Sequence, residues 1–315
     1  MKLNYWSHAC IQIESDKSKV LFDPWILQQP VYNFTTWKYP DISDYDPKPF
    51  VDSDCYILTH THEDHFHVPS LHLLDRSKPF YIPKFDEVSS PRKFLIRNTL
   101  KKMNFKNIIE LEAWECFNFN DIFKITRIPS AKQRAHDWEN SSYLVEEISS
   151  GKTILNMNDN VSDPCLLSEI KEYSKQITCL LVQAGGVTMY PGLFKMKKSE
   201  MKKEAKKRTT NFTDQKNQIL ALNPENVVPF AADFCWLDED MFHVNFTNRS
   251  DPILFNKMLK EIDYKGQLVN LTPSKSWVVS TKYTFNDYNW TNREVELRTM
   301  QKKYKSKLDS IKKYI

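Results

Sequence analysis

The segment Thr59-His60-Thr61-His62-Glu63-Asp64-His65-Phe66-His67 constrains this chain more than any other. Together with His72 it places five of the chain's eight histidines within thirteen residues. It follows the apolar run Cys55-Tyr56-Ile57-Leu58, which reads as a buried strand. Residues two apart in an extended segment point to the same side, so His60 and His62 can present two imidazoles to a single ion. Val68-Pro69-Ser70 predicts a helix start with proline near its first turn. A turn into that helix lets Asp64 and His65 serve a second ion beside the first. Neutral imidazole and carboxylate at this spacing make a transition-metal site. His67 and His72 are expected to pack or to support ligands rather than to bind metal.

Around this segment the patterns alternate between strand and helix. Cys10 to Glu14 and Lys19 to Phe22 read as a hairpin joined by a polar turn. Further strand patterns cover Ile122 to Ile128, Ser142 to Val145, Thr153 to Met157, Thr178 to Gln183 and Asn226 to Phe230, with helical stretches between several of them. Such alternation favours a layered α/β or α+β architecture. Gln28 to Val51 is rich in proline and aromatics without a period and reads as a long surface-crossing loop able to roof a site. Lys195 to Arg208 holds eight Lys or Arg against Glu200 and Glu204 and predicts an exposed basic helix. Asn292 to Ile315 spaces Val295, Leu297, Met300, Tyr304, Leu308, Ile311 and Ile315 as a terminal amphipathic helix, expected to pack on the domain. The division expected is a domain over 1–287 followed by a basic C-terminal helix over 288–315.

Several function classes are excluded or disfavoured. A formal charge of +4 is too small a bias to argue for nucleic acid. With no long apolar run and no secretory leader pattern, no membrane association is expected, and a soluble cytoplasmic protein is. Six cysteines without a CxxC pair write neither a zinc ribbon nor a disulfide scaffold. His8-Ala9-Cys10 has the reverse order of a Rieske half-motif, and no CxxH follows. Five glycines without GxGxxG or GxxxxGKS exclude nucleotide loops of those two kinds.

HxHxDH after an apolar strand resembles the diagnostic motif of the metallo-β-lactamase superfamily. His8-Ala9-Cys10 and Phe22-Asp23-Pro24-Trp25 resemble the GHA and DPW elements of its UlaG-like branch. Within that branch the chain is similar to the carboxy-terminal part of the cytidine monophosphate N-acetylneuraminic acid hydroxylases. The matching stretches are Leu21 to Trp25, Leu58 to Leu74, His136 to Glu146, Ile154 to Asp159, Ala184 to Phe194, Pro229 to Phe234 and Asn248 to Pro252. The fold implied is a metallo-β-lactamase α/β fold, a four-layer αββα sandwich.

The resemblance also implies ligands. His136, in Arg134-Ala135-His136-Asp137-Trp138, lines up with a third histidine of the first ion, and Asp159 with the carboxylate that bridges two ions. A bridge needs a carboxylate, since one imidazole lone pair cannot serve two cations. Asp163 is the alternative and reads better as a helix cap. The histidine expected on the last strand has no counterpart in Pro229-Phe230-Ala231-Ala232-Asp233-Phe234. Asp233 is favoured there over Asp238 and His243. Asp64 and Asp159 are also the candidate catalytic carboxylates. Gln183 to Pro191, with its glycine pair, is expected at the same edge.

A carboxylate in place of the last imidazole hardens the ligand set and favours two iron ions, with zinc or manganese as alternatives. The implied activity is that of a diiron, oxygen-dependent hydroxylase or monooxygenase acting on a sugar, sugar nucleotide or related small molecule. The alternative is a metal-dependent hydrolase of an ester, lactone or phosphodiester. The hydroxylases carry a Rieske domain as electron donor. The chain begins directly at the hydrolase-like fold, so oxygen chemistry here is expected to draw electrons from a separate, acidic ferredoxin-like protein. The substrate expected is a small molecule, phosphorylated or nucleotide-linked.

Overall fold

The computed structural model describes the chain except for residues 17, 85–92, 132–139, 161, 185–189, 211, 233, 248–251, 285–291 and 314–315. Its strands are β1 (Lys2–Ser7), β2 (Cys10–Ser15), β3 (Ser18–Phe22), β4 (Thr36–Lys38), β5 (Cys55–Ile57), β6 (Pro79–Pro83), β7 (Asn107–Leu111) and β8 (Cys116–Phe119). They continue with β9 (Phe123–Ile128), β10 (Ser142–Glu147), β11 (Thr153–Asn156), β12 (Cys179–Gln183), β13 (Asn226–Phe230), β14 (Phe234–Trp236), β15 (Gln267–Leu268) and β16 (Lys275–Val278). The helices are α1 (Lys48–Val51), α2 (Val68–Leu71), α3 (Lys93–Lys102), α4 (Pro164–Tyr173), α5 (Lys198–Thr210), α6 (Thr213–Leu222), α7 (Pro252–Glu261), α8 (Arg293–Lys303) and α9 (Lys305–Lys312).

Among the described residues the strands form two seven-stranded sheets, ordered β16-β1-β2-β3-β5-β6-β7 and β15-β13-β12-β11-β10-β9-β8, and a small β14-β4 pair. Period-two alternation explains the layers. On β11 and β12, Ile154, Cys179 and Leu181 face the space between the sheets, with Leu3, Ile11, Val20, Phe22 and Ile57 opposite. Their neighbours Leu155, Leu180 and Val182 face outward onto Leu166 and Ile170 of α4, Ile219 of α6 and Phe255 of α7. The first sheet does the same with Leu21, Tyr56 and Phe80 against Leu71 of α2 and Ile96 and Leu100 of α3. The result is the expected αββα order. Each such side chain contributes roughly 1.5–3 kcal/mol on burial, so the sandwich fixes the strand ends that carry the site.

Two readings need correction. The Gln28 to Val51 stretch is not a plain surface loop: it contains β4 and α1, and Trp37, Lys38 and Tyr39 are buried. It is held from above by the C-terminal helices, where Leu297, Met300 and Leu308 pack on Trp37 and Tyr39. The guanidinium of Arg293 lies 4.1 Å from the Tyr39 ring. The terminal helix is also two helices, parted at Tyr304, and Val295 points to solvent at 68% exposure. The six cysteines are free thiols. No helix among the described residues is long and apolar enough to cross a membrane.

Candidate metal centre

β3 and β5 run parallel, and both release their chains at the same edge of the sandwich. After β3, Asp23 takes a left-handed backbone (φ 42°) that turns its carboxylate inward. There the fully buried carboxylate accepts from the Thr59 amide (2.9 Å), the Thr59 hydroxyl (2.8 Å), Asn158 Nδ2 (2.7 Å) and His65 Nδ1 (3.1 Å). After β5 the chain leaves the sheet through Leu58, Thr59 and His60, then turns. The amides of His65 and Phe66 both donate to the His62 carbonyl, at 3.0 and 2.7 Å. α2 follows with Pro69 in its first turn, as the sequence predicts.

The turn brings the histidine segment together with Asp159, which follows β11. His60 Nε2 lies 2.9 Å from His62 Nδ1 and 3.8 Å from Asp159 Oδ2. His65 Nε2 lies 3.5 Å from the same Asp159 oxygen and 3.8 Å from Asp64 Oδ2. One carboxylate oxygen thus stands between two groups. Gln183 Nε2 donates to the other oxygen of Asp159 (3.0 Å), and Asn140 Nδ2 to its carbonyl (3.1 Å), which fixes the carboxylate's orientation. His60, His62 and Asp159 form one cluster and His8, Asp64 and His65 a second, each with ligand atoms within 4.8 Å of one another.

The donor chemistry fits metal ions. At most one of the facing nitrogens of His60 and His62 needs a proton, so a lone pair is left aimed at the shared space. Burial, reinforced by the neighbouring His65 and His62 rings, holds His60 well below its ordinary pKa, in the form that coordinates. Burial opposes a charge on His65 too, but Asp64 and Asp159 outweigh it and hold His65 well above the usual range. His65 Nε2 faces the Asp64 and Asp159 carboxylates at 3.8 and 3.5 Å, a setting that favours a positive charge. Asp64 is held well below the usual carboxylate range, against its burial, by His65 and by the hydrogen bond from His8.

Of the sequence-predicted ligands, His60, His62, Asp64, His65 and Asp159 come together; His136 and Asp233 lie outside the described residues. So does 185–189 of the glycine-containing loop. The weaker candidates are elsewhere. Asp163 caps α4 by accepting from the Leu166 amide (2.8 Å), Asp238 pairs with Lys312 (3.2 Å), and His243 Nε2 donates to the Gly192 carbonyl (2.7 Å). His67 packs on Trp25, and its Nδ1 accepts from Ser70 (2.7 Å). Burial and the nearby Lys38 push its pKa down to about 3. His72 is exposed after α2.

Sequence reasoning missed His8 and Tyr32. His8, fully buried, places Nε2 2.9 Å from Asp64 Oδ2. The Tyr32 phenol donates to the other oxygen of Asp64, and its amide donates to Glu63. For His8 a signal existed, since a histidine in a tight turn beside Asp23-Pro24-Trp25 is part of the branch motif. Nothing in the spacing marks Tyr32.

Comparison with known proteins bears on family and fold. A model of the beta-lactamase superfamily domain matches residues 2–230. The chain is 21% identical over 267 residues to a cytidine monophosphate-N-acetylneuraminic acid hydroxylase of Danio rerio, covering 82% of this chain and 43% of that protein. It spans about half the length of the curated relatives it matches. Among solved structures it resembles CmlA, a diiron beta-hydroxylase from Streptomyces venezuelae, with a TM-score of 0.59 at 17% identity over 88% of this chain and 54% of that one. It also resembles Igni18, a metallo hydrolase from Ignicoccus hospitalis, with a TM-score of 0.57 at 18% identity over 89% and 99% of the two chains. Matched over most of its length, and with two His/Asp clusters at the shared edge of its sandwich, the chain belongs to the beta-lactamase superfamily.

Proposed function

We propose that the protein is a two-metal enzyme that hydroxylates a sugar, sugar nucleotide or related small molecule with dioxygen, using iron and electrons from a separate protein. The observation that carries the two-metal reading is Asp159 Oδ2, at 3.8 Å from His60 Nε2 and 3.5 Å from His65 Nε2. His60 and His62 with Asp159 would hold one ion, and Asp64 and His65 with Asp159 the other. His136 and Asp233 are proposed with them from the sequence alone. Preference for oxidation over hydrolysis rests on the hydroxylase relatives. Hydrolysis is kept as the second reading because metallo hydrolases share the fold. Iron ions here would supply the redox equivalents for inserting oxygen into a C–H bond, whereas zinc or manganese would supply Lewis acidity for hydrolysis.

The chain's own residues do the rest. Asp23 holds the His65 ring by Nδ1 and so leaves Nε2 for the centre. Gln183 restrains Asp159, and Tyr32 restrains Asp64. His62 is exposed while His60, Asp64 and His65 are buried, so a substrate meets the centre from the His62 side. The exposed lysines of α5, beside exposed Leu193 and Phe194, suit an acidic electron carrier.

Protein reconstituted anaerobically with ferrous iron and given a reductant should take up oxygen in the presence of members of a sugar-nucleotide library. Metal analysis should give about two equivalents, falling in Asp159→Ala as the bridge is lost. Efficient ester or phosphodiester cleavage by the zinc form, with no substrate-dependent oxygen uptake by the iron form, would instead establish the hydrolase. Unchanged stoichiometry in Asp159→Ala would sink the bridge.

A further inference from the structure

We infer that His8, from the first hairpin, is a ligand of the second ion and supplies there the imidazole that the last strand lacks. The inference rests on the two-ion reading above and goes beyond it, because nothing in the HxHxDH pattern or its matched partners assigns a ligand to the amino-terminal turn.

Position comes first. β13 ends at Phe230, and the chain carries Ala231 and Ala232 where a histidine is expected. Alanine has no donor to offer. The Ala231 amide donates to the His8 carbonyl at 2.9 Å, so the β1–β2 turn lies directly against that alanine. An imidazole reaching inward from His8 enters the centre from the end of the sandwich that the missing side chain would occupy.

The backbone argues next. His8 adopts φ 52°, a left-handed conformation that crowds the Cβ of a non-glycine residue against its own backbone. Glycine or asparagine would make this turn more cheaply. A histidine held there against that preference, and wholly buried, serves something other than the turn.

The side-chain geometry says what. His8 Nε2, Asp64 Oδ2 and His65 Nε2 lie within 4.8 Å of one another. The His8–Asp64 separation is 2.9 Å and the Asp64–His65 separation 3.8 Å. Donors about 2.1 Å from one tetrahedral ion stand about 3.4 Å apart, and these two separations bracket that value. The rings of His8 and His65 are 5.5 Å apart at 64°, an arrangement of two imidazoles converging on one point rather than stacking. Among the described residues His8 Nδ1 has no hydrogen-bond partner, whereas His65 Nδ1 is anchored by Asp23. His8 is accordingly the weaker of the two donors, and its loss lowers affinity at one site without removing the other.

The test is a cobalt(II) titration of the metal-free full chain, reading bound equivalents and the visible absorption of each. Wild type is expected to bind two. His8→Gly and His8→Asn both suit the left-handed turn, and circular dichroism of the metal-free variants reports their fold. Each is expected to keep one equivalent at wild-type affinity and to bind the second at least about tenfold more weakly. Added imidazole, filling the space left in His8→Gly, should restore the second equivalent, which a purely structural role would not produce. In zinc-loaded wild type with nitrogen-15 histidine, the His8 Nε2 resonance should carry the shift of a coordinated nitrogen, a readout that needs no variant. An uncoordinated His8 resonance, or two equivalents at wild-type affinity in folded His8→Gly, overturns the inference and leaves the two-ion centre standing. Fewer than two equivalents in wild type overturns both.

Discussion

Replacing Asp23 by asparagine isolates the part of the centre that touches no ion. The carboxylate accepts four hydrogen bonds, three at Oδ2 from the Thr59 hydroxyl, Asn158 and His65, and one at Oδ1 from the Thr59 amide. An amide has a single acceptor oxygen. Placed on the Oδ2 side it keeps three bonds and sets its NH2 against the Thr59 N–H; turned over, it opposes three donors. The first arrangement is the cheaper and costs about 2–4 kcal/mol, from one buried donor left unsatisfied and the loss of charge assistance in the remaining bonds. That is less than the roughly 5–15 kcal/mol of a typical domain, so Asp23→Asn should fold. The neutral amide is a poorer acceptor for His65 Nδ1–H, which lowers the basicity of Nε2. Affinity for the ion at His65 should fall about 10–100-fold, with the ion at His60 and His62 little affected. Competition with a chromophoric chelator measures both constants in one titration. If the two constants are unchanged in a variant whose melting temperature has dropped, Asp23 only props the loop and the reasoning about His65 is wrong.

Two further outcomes follow from the surface and the sheet edge. Glu147 accepts from Ser15 and Ser150 and pairs with the Met1 amine at 2.8 Å. Against the penalty of burial, these partners hold its pKa down to about 2. A depressed carboxylate gives stability that is present above its unfolded pKa of about 4.3 and is lost as pH falls through the folded value. Glu147→Gln should therefore lower unfolding free energy at pH 7 by about 1–3 kcal/mol and make progressively less difference below pH 4; a pH-independent difference in urea titrations would refute this. Reversing Lys198, Lys202, Lys203 and Lys206 of α5 to glutamate should slow turnover driven by an acidic electron carrier and flatten its salt dependence, while turnover with a small neutral reductant is unchanged. Parent turnover that does not vary with salt would show the helix to be a solvated face.

The parts of this structure legible in the sequence are those with a strict period or a short spacing. β9 to β13 follow from apolar runs buried on both faces. His60, His62, Asp64 and His65 follow from six consecutive positions, because alternation on an extended chain and one tight turn leave little freedom. β1, β4 and β16 are less legible. Their sequences mix polar and aromatic residues, since Asn4 and Gln12 bond to each other (2.8 Å) on the outer face while Trp6 is buried there. Lys38 misleads most: a lysine in a proline-rich stretch reads as surface, yet its amine is buried and donates to the Trp25 carbonyl at 2.9 Å and to that of Ile26. Such a position is decided by distant backbone carbonyls in need of a donor, which no local pattern encodes.

The same stretch explains how one metal-binding edge can belong to proteins of different chemistry. Between Asp23 and Asp41 the chain touches the centre or its supports repeatedly: Asp23 on His65, Tyr32 on Asp64 and Glu63, and Lys38 on the carbonyls of Trp25 and Ile26. Tyr32, Asn33 and Phe34 are consecutive left-handed residues, φ 52°, 55° and 63°, a conformation that side chains take only when the surroundings impose it. The segment is tied down on either side of the exposed Asn33 and Phe34: Tyr32 bonds to Asp64 and Glu63 of the metal loop, and Asp41 accepts from Tyr304 at 3.0 Å and pairs with Lys303 at 2.9 Å in the C-terminal helices. The HxHxDH segment and Asp159 bring two His/Asp clusters able to hold metal to the edge of a sandwich that hydrolases and hydroxylases share. The segment over the second cluster is built from residues outside that pattern. His8, Asp64 and His65 are buried while His62 is exposed, so the two clusters meet unequal solvent. On the function proposed above, a substrate would meet the centre over His62, and the choice of reaction would be built in the loops around it rather than among the metal ligands.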